Sequence, residues 1–335
     1  VIFDEPTALL ENEKVDMLFR FIGELKSQGV SIIYISHRLE EIMQICDSVT
    51  ILKDGSYVDT MPIENVTKDS LIQMMVGRPA TDIYNIRHFD TDEELLRVEN
   101  FSDSKHFKNI NFTLHKGEIL GFAGLVGAGR TETMRLVCGA DPMDAGVIRV
   151  NGREVKIRSP KDAVRYGIGY LSEDRKRYGL CLNLSVTDNT VLPSLEQLFR
   201  GPFVNDGKAD RHAQDYVEKI RTKTPNTRAR VGSLSGGNQQ KVVISKWLLR
   251  DCDVLIFDEP TRGIDVGAKS EIYKLMTQLA EEGKAIIMIS SDMPELLRLS
   301  DRVIVMCEGH VTGELDISEA TQESIMTYAT KREEG

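Results

Sequence analysis

Hydrophobic residues fall into short solid runs and longer stretches of helical spacing, and the two alternate along the chain. Val1–Phe3 is a run of the kind found in buried strands. Asn12–Gln28 then sets Val15, Leu18, Phe19, Ile22 and Leu25 on one helical face, and Gly29 ends that helix. A β-rich run, Ser31–Ile35, precedes a helix starting near Leu39, and Val49–Leu52 with Tyr57–Asp59 reads as a hairpin around Asp54-Gly55. Pro79–Glu93 has little periodicity and reads as a linker. Beyond it, Glu94–Val98 and Ile110–Leu114 read as antiparallel strands, and Glu118–Ala123 as an apolar strand entering a glycine-rich turn. A helix follows from about Arg130 to Cys138. Thr187–Thr222 is mostly helical in pattern, a smaller helical subdomain, and Ser235–Leu249 is a helix before the strand Val254–Phe257. Strands alternating with helices predict an α/β fold, a largely parallel sheet with helices on both faces.

The pattern also repeats. The hexapeptide IFDEPT occurs at Ile2–Thr7 and Ile256–Thr261, and a shift of 254 keeps the two copies in register without a gap. Asp4 falls on Asp258, Glu5 on Glu259, Ser36 on Ser290, Asp47 on Asp301, Gly55 on Gly309, Thr67 on Thr321 and Arg78 on Arg332. The period is too long for a solenoid unit. The expected organisation is the last third of one domain at 1–78, a linker at 79–94 and a complete second copy at 95–335. Val1 lies inside a predicted strand and is not Met, so it is expected to be a break rather than a natural terminus.

Composition narrows the class. A length of 335 residues suits about two domains. The net charge of −10 argues against a nucleic-acid partner, which needs a basic face to neutralise phosphate. Cys46, Cys138, Cys181, Cys252 and Cys307 form no CxxC pair, the distribution of reduced thiols rather than a disulfide or zinc framework. The longest apolar runs, such as Val254–Phe257 and Ala285–Ile289, are far shorter than a bilayer span. A membrane role must therefore pass through a partner.

Three motifs carry chemistry. Gly124–Thr131 (GLVGAGRT) lies where a strand becomes a helix, and Gly124, Gly127, Ala128 and Gly129 form a turn whose backbone N–H groups suit phosphate oxygens. It matches the phosphate-loop pattern at each fixed position except the lysine, here Arg130, whose broader guanidinium competes for phosphate space. Thr131 retains the hydroxyl for Mg²⁺; the plain alternative is a glycine turn without ligand. In Ile256–Thr261, Asp258 is placed to hold Mg²⁺ through water and Glu259 to orient or deprotonate an attacking water. Asp4 and Glu5 are their counterparts, and Asp265, matching Glu11, lies in the following turn. In Leu234–Lys241 (LSGGNQQK), Ser235, Gly236, Gly237 and Gln239 at a helix start suit a γ-phosphate, against the alternative of a simple serine cap.

The order GLVGAGRTE, Glu173-Asp174-Arg175-Lys176, LSGGNQQK, IFDEPT resembles ATP-binding-cassette (ABC) proteins. The duplication looks like the fused two-cassette ATPase of bacterial monosaccharide importers. The resemblance covers Val1 to about Arg332. It implies a P-loop, RecA-like core with an antiparallel β edge and a helical subdomain facing transmembrane permease subunits. It further implies ATP and Mg²⁺ as cofactors, cassette–cassette pairing, an indirect periplasmic or extracellular sugar-binding protein, and a peripheral position at the cytoplasmic face of the membrane. A nucleoside importer of the same architecture and a soluble non-transport cassette protein are the alternatives.

Several family features depart from the pattern. Glu173 follows Tyr170-Leu171-Ser172 where a Gln is usual, and Ser291 stands where the first copy has His37, the γ-phosphate contact. No adenine-stacking aromatic is evident; Phe107 is near but patterned like a core residue. The resemblance therefore implies one degenerate site, on Arg130, Glu173 and Ser291. The competent one combines Glu5, His37 and Ser235–Gly237 with a phosphate loop not in this sequence.

Overall fold

A computed structural model describes residues 1–331 except 5, 8–11, 37–38, 54–55, 68–69, 72–73, 75–90, 104–106, 200 and 265. Glu5, Glu11, His37, the Asp54-Gly55 turn, Arg78, Asp265, Arg332 and most of the expected linker therefore lie outside the described residues. Contacts divide the chain into two units, Val1–Asn85 with Asp265–Ser270, and Ile86–Ile264 with Glu271–Gly335.

The first unit contains β1 (Ile2–Asp4), α1 (Asn12–Ser27), β2 (Ile33–Ile35), α2 (Leu39–Ile45), β3 (Ser48–Lys53) and β4 (Ser56–Pro62). β1 pairs parallel with β2, and β3 antiparallel with β4, as two separate ladders. Leu39, Ile42, Val49, Ile51, Val66 and Leu71 form its core.

In the second unit, β5 (Glu94–Ser102), β6 (Ile110–His115), β7 (Ile119–Gly124), α3 (Arg130–Val137), β8 (Ala145–Val150) and β9 (Arg153–Val155) come first. β5 starts at Glu94, where the strand was expected, so the last position of the 79–94 linker already belongs to it. After α4 (Pro160–Arg165) and β10 (Ile168–Leu171) come four helices, α5 (Val186–Val191), α6 (Leu195–Leu198), α7 (Asp206–Lys219) and α8 (Gly236–Leu249). The chain then runs through β11 (Val254–Asp258), α9 (Val266–Glu281), β12 (Ala285–Ile289), α10 (Met293–Leu299), β13 (Arg302–Cys307), β14 (His310–Asp316) and α11 (Gln322–Ala329).

The main sheet has the order β10-β11-β12-β7-β13-β14, parallel except for the last strand, and a separate antiparallel sheet has the order β6-β5-β8-β9. β7 and β12 are apolar throughout, and β11 is apolar up to its last residue, Asp258, because both faces are covered. On one face, Leu96, Phe101 and Ile110 of the antiparallel sheet and Met134 of α3 share a core with Phe122, Ile256 and Ile287. Phe112 meets Phe122 edge-on, ring centres 5.2 Å apart. On the other face, Leu296 of α10 and Ile325 of α11 pack on Ala123, Val303 and Val305. The helical section has its own cluster, Val191, Phe199 and Ala209 against Leu195, Leu198 and Leu249. The stretch Thr187–Thr222, expected to be mostly helical, holds three separate α-helices. Ser185, in a reciprocal capping box with Asp188, starts α5, and Asn205 caps α7. No disulfide joins any of the cysteines.

The 254-residue register extends to the structure. α1, α2, β3 and β4 match α9, α10, β13 and β14 end for end, and the Ile51/Leu52 irregularity recurs at Val305/Met306. Ile2↔Ile33 in β1–β2 recurs as Ile256↔Ile287 in β11–β12. Burial does not repeat. Ile2 and Ile33 are 66% and 60% exposed, whereas Ile256 and Ile287 are 0% exposed. The expectation of a buried strand at Val1–Phe3 is thus corrected. β11 and β12 are flanked by β10 and β7, and no counterpart of either flanks β1–β2 among the described residues.

The same substitution in the two copies should therefore differ in effect. Ile256→Ala should destabilise the second unit by about 2–5 kcal/mol, while Ile2→Ala should cost the first less than about 0.5 kcal/mol. Calorimetric unfolding reads both, and comparable losses would contradict the difference in burial.

Candidate functional site

Parallel pairing sets the carboxyl ends of β7, β11 and β12 side by side, so Gly124, Asp258 and Ser290 meet at one end of the sheet. Gly124 (φ +148°) leaves no room for a side chain, since a Cβ there would lie 2.5 Å from the Met306 carbonyl oxygen. Gly129 (φ +100°) starts α3 above Phe107, which a Cβ would strike at 2.4 Å. Phe107 is accordingly a core residue, buried beneath the loop. Gly127 (φ +84°) lies on the exposed rim. Ala128 departs from the expected ligand role: its methyl is buried and its N–H closes the turn on the Leu125 carbonyl at 3.0 Å.

Arg130 reaches the residue that follows β12. Its Nη1 donates to the Ser290 carbonyl at 2.8 Å. Thr131 Oγ1 donates to Asp258 Oδ1 at 3.1 Å, and Tyr170 OH donates to Oδ2 at 2.7 Å. Burial raises the Asp258 carboxyl above the usual range, opposed by the Tyr170 and Thr131 bonds and by Arg130. Thr131 and Asp258 together offer hard oxygens in the small number that Mg²⁺ takes from protein when phosphates supply the rest. Asp4 is exposed at the end of β1.

Glu259 sits in the left-handed region (φ +47°), its N–H bonded to the Ile289 carbonyl at 2.9 Å. Burial raises its carboxyl, while Arg130 and a 3.1 Å hydrogen bond from Ser291 Oγ lower it. The sequence reading missed what supports this turn. The buried Glu295 accepts from Thr261 Oγ1 at 2.8 Å and closely from Ser290 Oγ. In the first unit Glu41 accepts from Thr7 Oγ1 at 2.7 Å and from Ser36 Oγ at 3.0 Å. Glu41 and Glu295 are 254 apart, so the repeat itself carried the signal. Nothing in the sequence flagged Tyr170.

At the start of α8, Ser235 is in the cap position, but its hydroxyl accepts from Asn238 Nδ2 at 2.9 Å and caps no backbone N–H. Simple capping, the alternative raised above, is thus not what its hydroxyl does. Gly236 faces Arg175: a Cβ there would lie 2.7 Å from Nη2. Gly237 is buried. Gln239 also departs from expectation. It is buried, and its amide holds the carbonyls of Val231 (3.3 Å) and Leu234 (3.1 Å) rather than facing a ligand. The loop after β10 joins these parts, for Glu173 pairs with Arg262 and Arg175 Nη1 donates to the Arg262 carbonyl at 3.1 Å.

Residues 107–262 match the family model described as ABC transporter. The second unit is an ATP-binding-cassette ATPase domain. The chain is 55% identical over 335 residues to a ribose/galactose/methyl galactoside import ATP-binding protein of Burkholderia lata, covering 99% of this chain and 65% of that protein. It is 49% identical over 330 residues to the ribose import ATP-binding protein RbsA of Clostridium tetani, covering 98% of this chain and 65% of that protein. The chain thus spans about 65% of the length of these curated relatives. In fold it matches a dimeric post-hydrolysis ATP-binding cassette bound to ADP and Pi, at TM-score 0.57 and 20% identity, over 67% of this chain and 99% of the other. CbiO1 of Clostridium perfringens matches at 0.58 and 23%, over 70% and 93%. Among the described residues no helix is long and apolar enough to cross a membrane.

Within the cassette, α8 carries a pH-sensitive group. Burial pushes the Lys246 ammonium down to about 8, beside the Gly179 carbonyl and the Trp247 ring. Between that value and the unfolded one, the folded state holds fewer protons, so this contribution makes stability rise with pH. From pH 7 to 10.5, the wild type should gain roughly 2–3 kcal/mol relative to Lys246→Met. Paired denaturation curves at the two pH values check this, and a constant difference would rule out the perturbed lysine.

Proposed function

We propose that this chain is the larger part of the ATP-binding subunit of a bacterial monosaccharide importer, peripheral at the cytoplasmic face of the membrane. There it couples ATP binding and hydrolysis to uptake through transmembrane permease subunits, which a periplasmic or extracellular sugar-binding protein loads. The observation that carries this reading is 55% identity along the chain to a protein named for ribose/galactose/methyl galactoside import. In this reading residues 1–78 are the last third of a first cassette, 79–94 the linker and 95–335 the second cassette.

The residues divide the work. Backbone N–H groups of Gly124, Gly127 and Gly129 bind phosphates, Thr131 and Asp258 would hold Mg²⁺, and Glu259 orients or deprotonates water. Mg²⁺ held there would supply positive charge to neutralise the phosphate oxygens. Ser235, Gly236 and Gly237 face the nucleotide of the paired cassette. The site on this cassette is degenerate: Arg130 is committed to the Ser290 carbonyl, and Ser291 holds Glu259 where a histidine would reach phosphate. The competent site combines Glu5, His37, Asp4 and Ser235–Gly237 with a phosphate loop outside this sequence.

In the intact two-cassette protein, Glu5→Gln should lower ATP turnover by about 10²–10³-fold, and Glu259→Gln should leave most of it. Equal losses would mean that both sites turn over and that the asymmetry is wrong. Gly236→Asp, which sets a carboxylate against phosphate, should abolish transport. The permease contact is assigned to Glu173–Leu198. Cysteines introduced there should crosslink to the permease's cytoplasmic loops, and crosslinks confined to 321–335 would refute the placement.

A further inference from the structure

We infer that Tyr170 is a positioning residue of this cassette: its hydroxyl fixes the plane of the Asp258 carboxyl group and so sets how strongly Mg²⁺ tightens nucleotide binding. The inference rests on the reading above in which Thr131 and Asp258 hold the metal.

Asp258 closes β11 and is 1% exposed, so its orientation is set by protein partners. Among the described residues its carboxyl group accepts two hydrogen bonds, one on each oxygen. Thr131 Oγ1 donates to Oδ1 at 3.1 Å and Tyr170 OH to Oδ2 at 2.7 Å. The guanidinium groups near this pair are committed elsewhere. Arg130 donates to the Ser290 carbonyl at 2.8 Å, and Arg135 to the two oxygens of Asp141 at 2.6 and 2.9 Å.

A carboxyl group held through one oxygen can still turn about its Cβ–Cγ bond, a soft torsion. Bonds to both oxygens remove that freedom and leave each oxygen a lone pair open to the site. Thr131 belongs to the site itself. Tyr170 lies outside it, so its bond is the one that can hold Asp258 without competing for the metal.

The sheet explains why a tyrosine suits this place. Tyr170 lies opposite Ile256 in the β10–β11 register, and Asp258 is two residues further on, about 7 Å along the strand. A phenol ring spans that offset and ends in a donor. The ring packs against the central core, which holds the hydroxyl in place. A phenylalanine would pack in the same way and leave Oδ2 without that partner. Loss of a hydrogen-bond partner behind a ligating group typically weakens metal binding by about 10–100-fold.

The test is calorimetric titration of the whole chain with ATP, once in MgCl₂ and once in EDTA, for the wild type and Tyr170→Phe. The chain carries one phosphate-loop motif, so one site is read. The gain in affinity from Mg²⁺ should fall about tenfold in Tyr170→Phe, while affinity in EDTA should change less than about twofold. Asp258→Ala should lose the gain altogether and marks the floor. An undiminished gain in Tyr170→Phe would overturn the inference. So would an equal loss with and without Mg²⁺, the mark of a residue that only supports the fold. A wild type whose affinity does not rise with Mg²⁺ would overturn the metal reading of Thr131 and Asp258, and the inference with it.

Discussion

A buried carboxyl group organises the working end of the cassette. Glu295, on α10, takes the hydroxyls of Thr261 and Ser290 and so ties the turn after β11 to the end of β12. A buried carboxyl group is costly unless its oxygens are bonded, so the partners and the backbone carrying them are held in one arrangement. Two site features depend on that arrangement. The Ser290 carbonyl is where Arg130 is received, and the Glu259 turn, left-handed and bonded to Ile289, is where the candidate water-positioning carboxylate is displayed. The same clamp, Glu41 with Thr7 and Ser36, stands in the first unit, so it belongs to the repeated fold and not to one site.

From this point the contacts run outward through the loop after β10. Glu173 pairs with Arg262, Arg175 donates to the Arg262 carbonyl, and its guanidinium lies over Gly236 at the start of α8. Burial lowers the affinity of Arg175 for its proton, and its Nε is buried without a hydrogen-bond partner. A cation at a helix N-terminus opposes the helix dipole, so the arrangement raises positive potential where Ser235, Gly236 and Gly237 lie. A shift of this loop is therefore felt at both the carboxylate turn and the start of α8, because it touches both.

The two copies separate what a sequence encodes locally from what its surroundings impose. Element ends, strand register and even the irregularity in the β3–β4 ladder repeat at the same spacing. These features depend on local propensity and on pairing between near neighbours in sequence. Solvent exposure follows a different rule, since identical isoleucines are covered in one copy and open in the other.

Much of the candidate site was legible in advance. Gly124–Thr131, Asp258, Glu259 and Ser235–Gly237 are found at one end of one unit, because each motif is bound to a strand end or helix start that its own residues specify. The 254-residue repeat likewise determined which elements recur. Tertiary structure alone decided the rest. Arg130 and Ser290 are 160 positions apart, and Tyr170 and Asp258 are 88 apart. No local pattern records that the guanidinium is taken up by a carbonyl or that a tyrosine holds the Asp258 carboxyl group. Gln239 reads like part of a ligand motif, yet the loop before α8 claims its amide. Motif and register are written in short stretches of chain, while burial and the second partner of each polar group depend on which distant strand lies alongside.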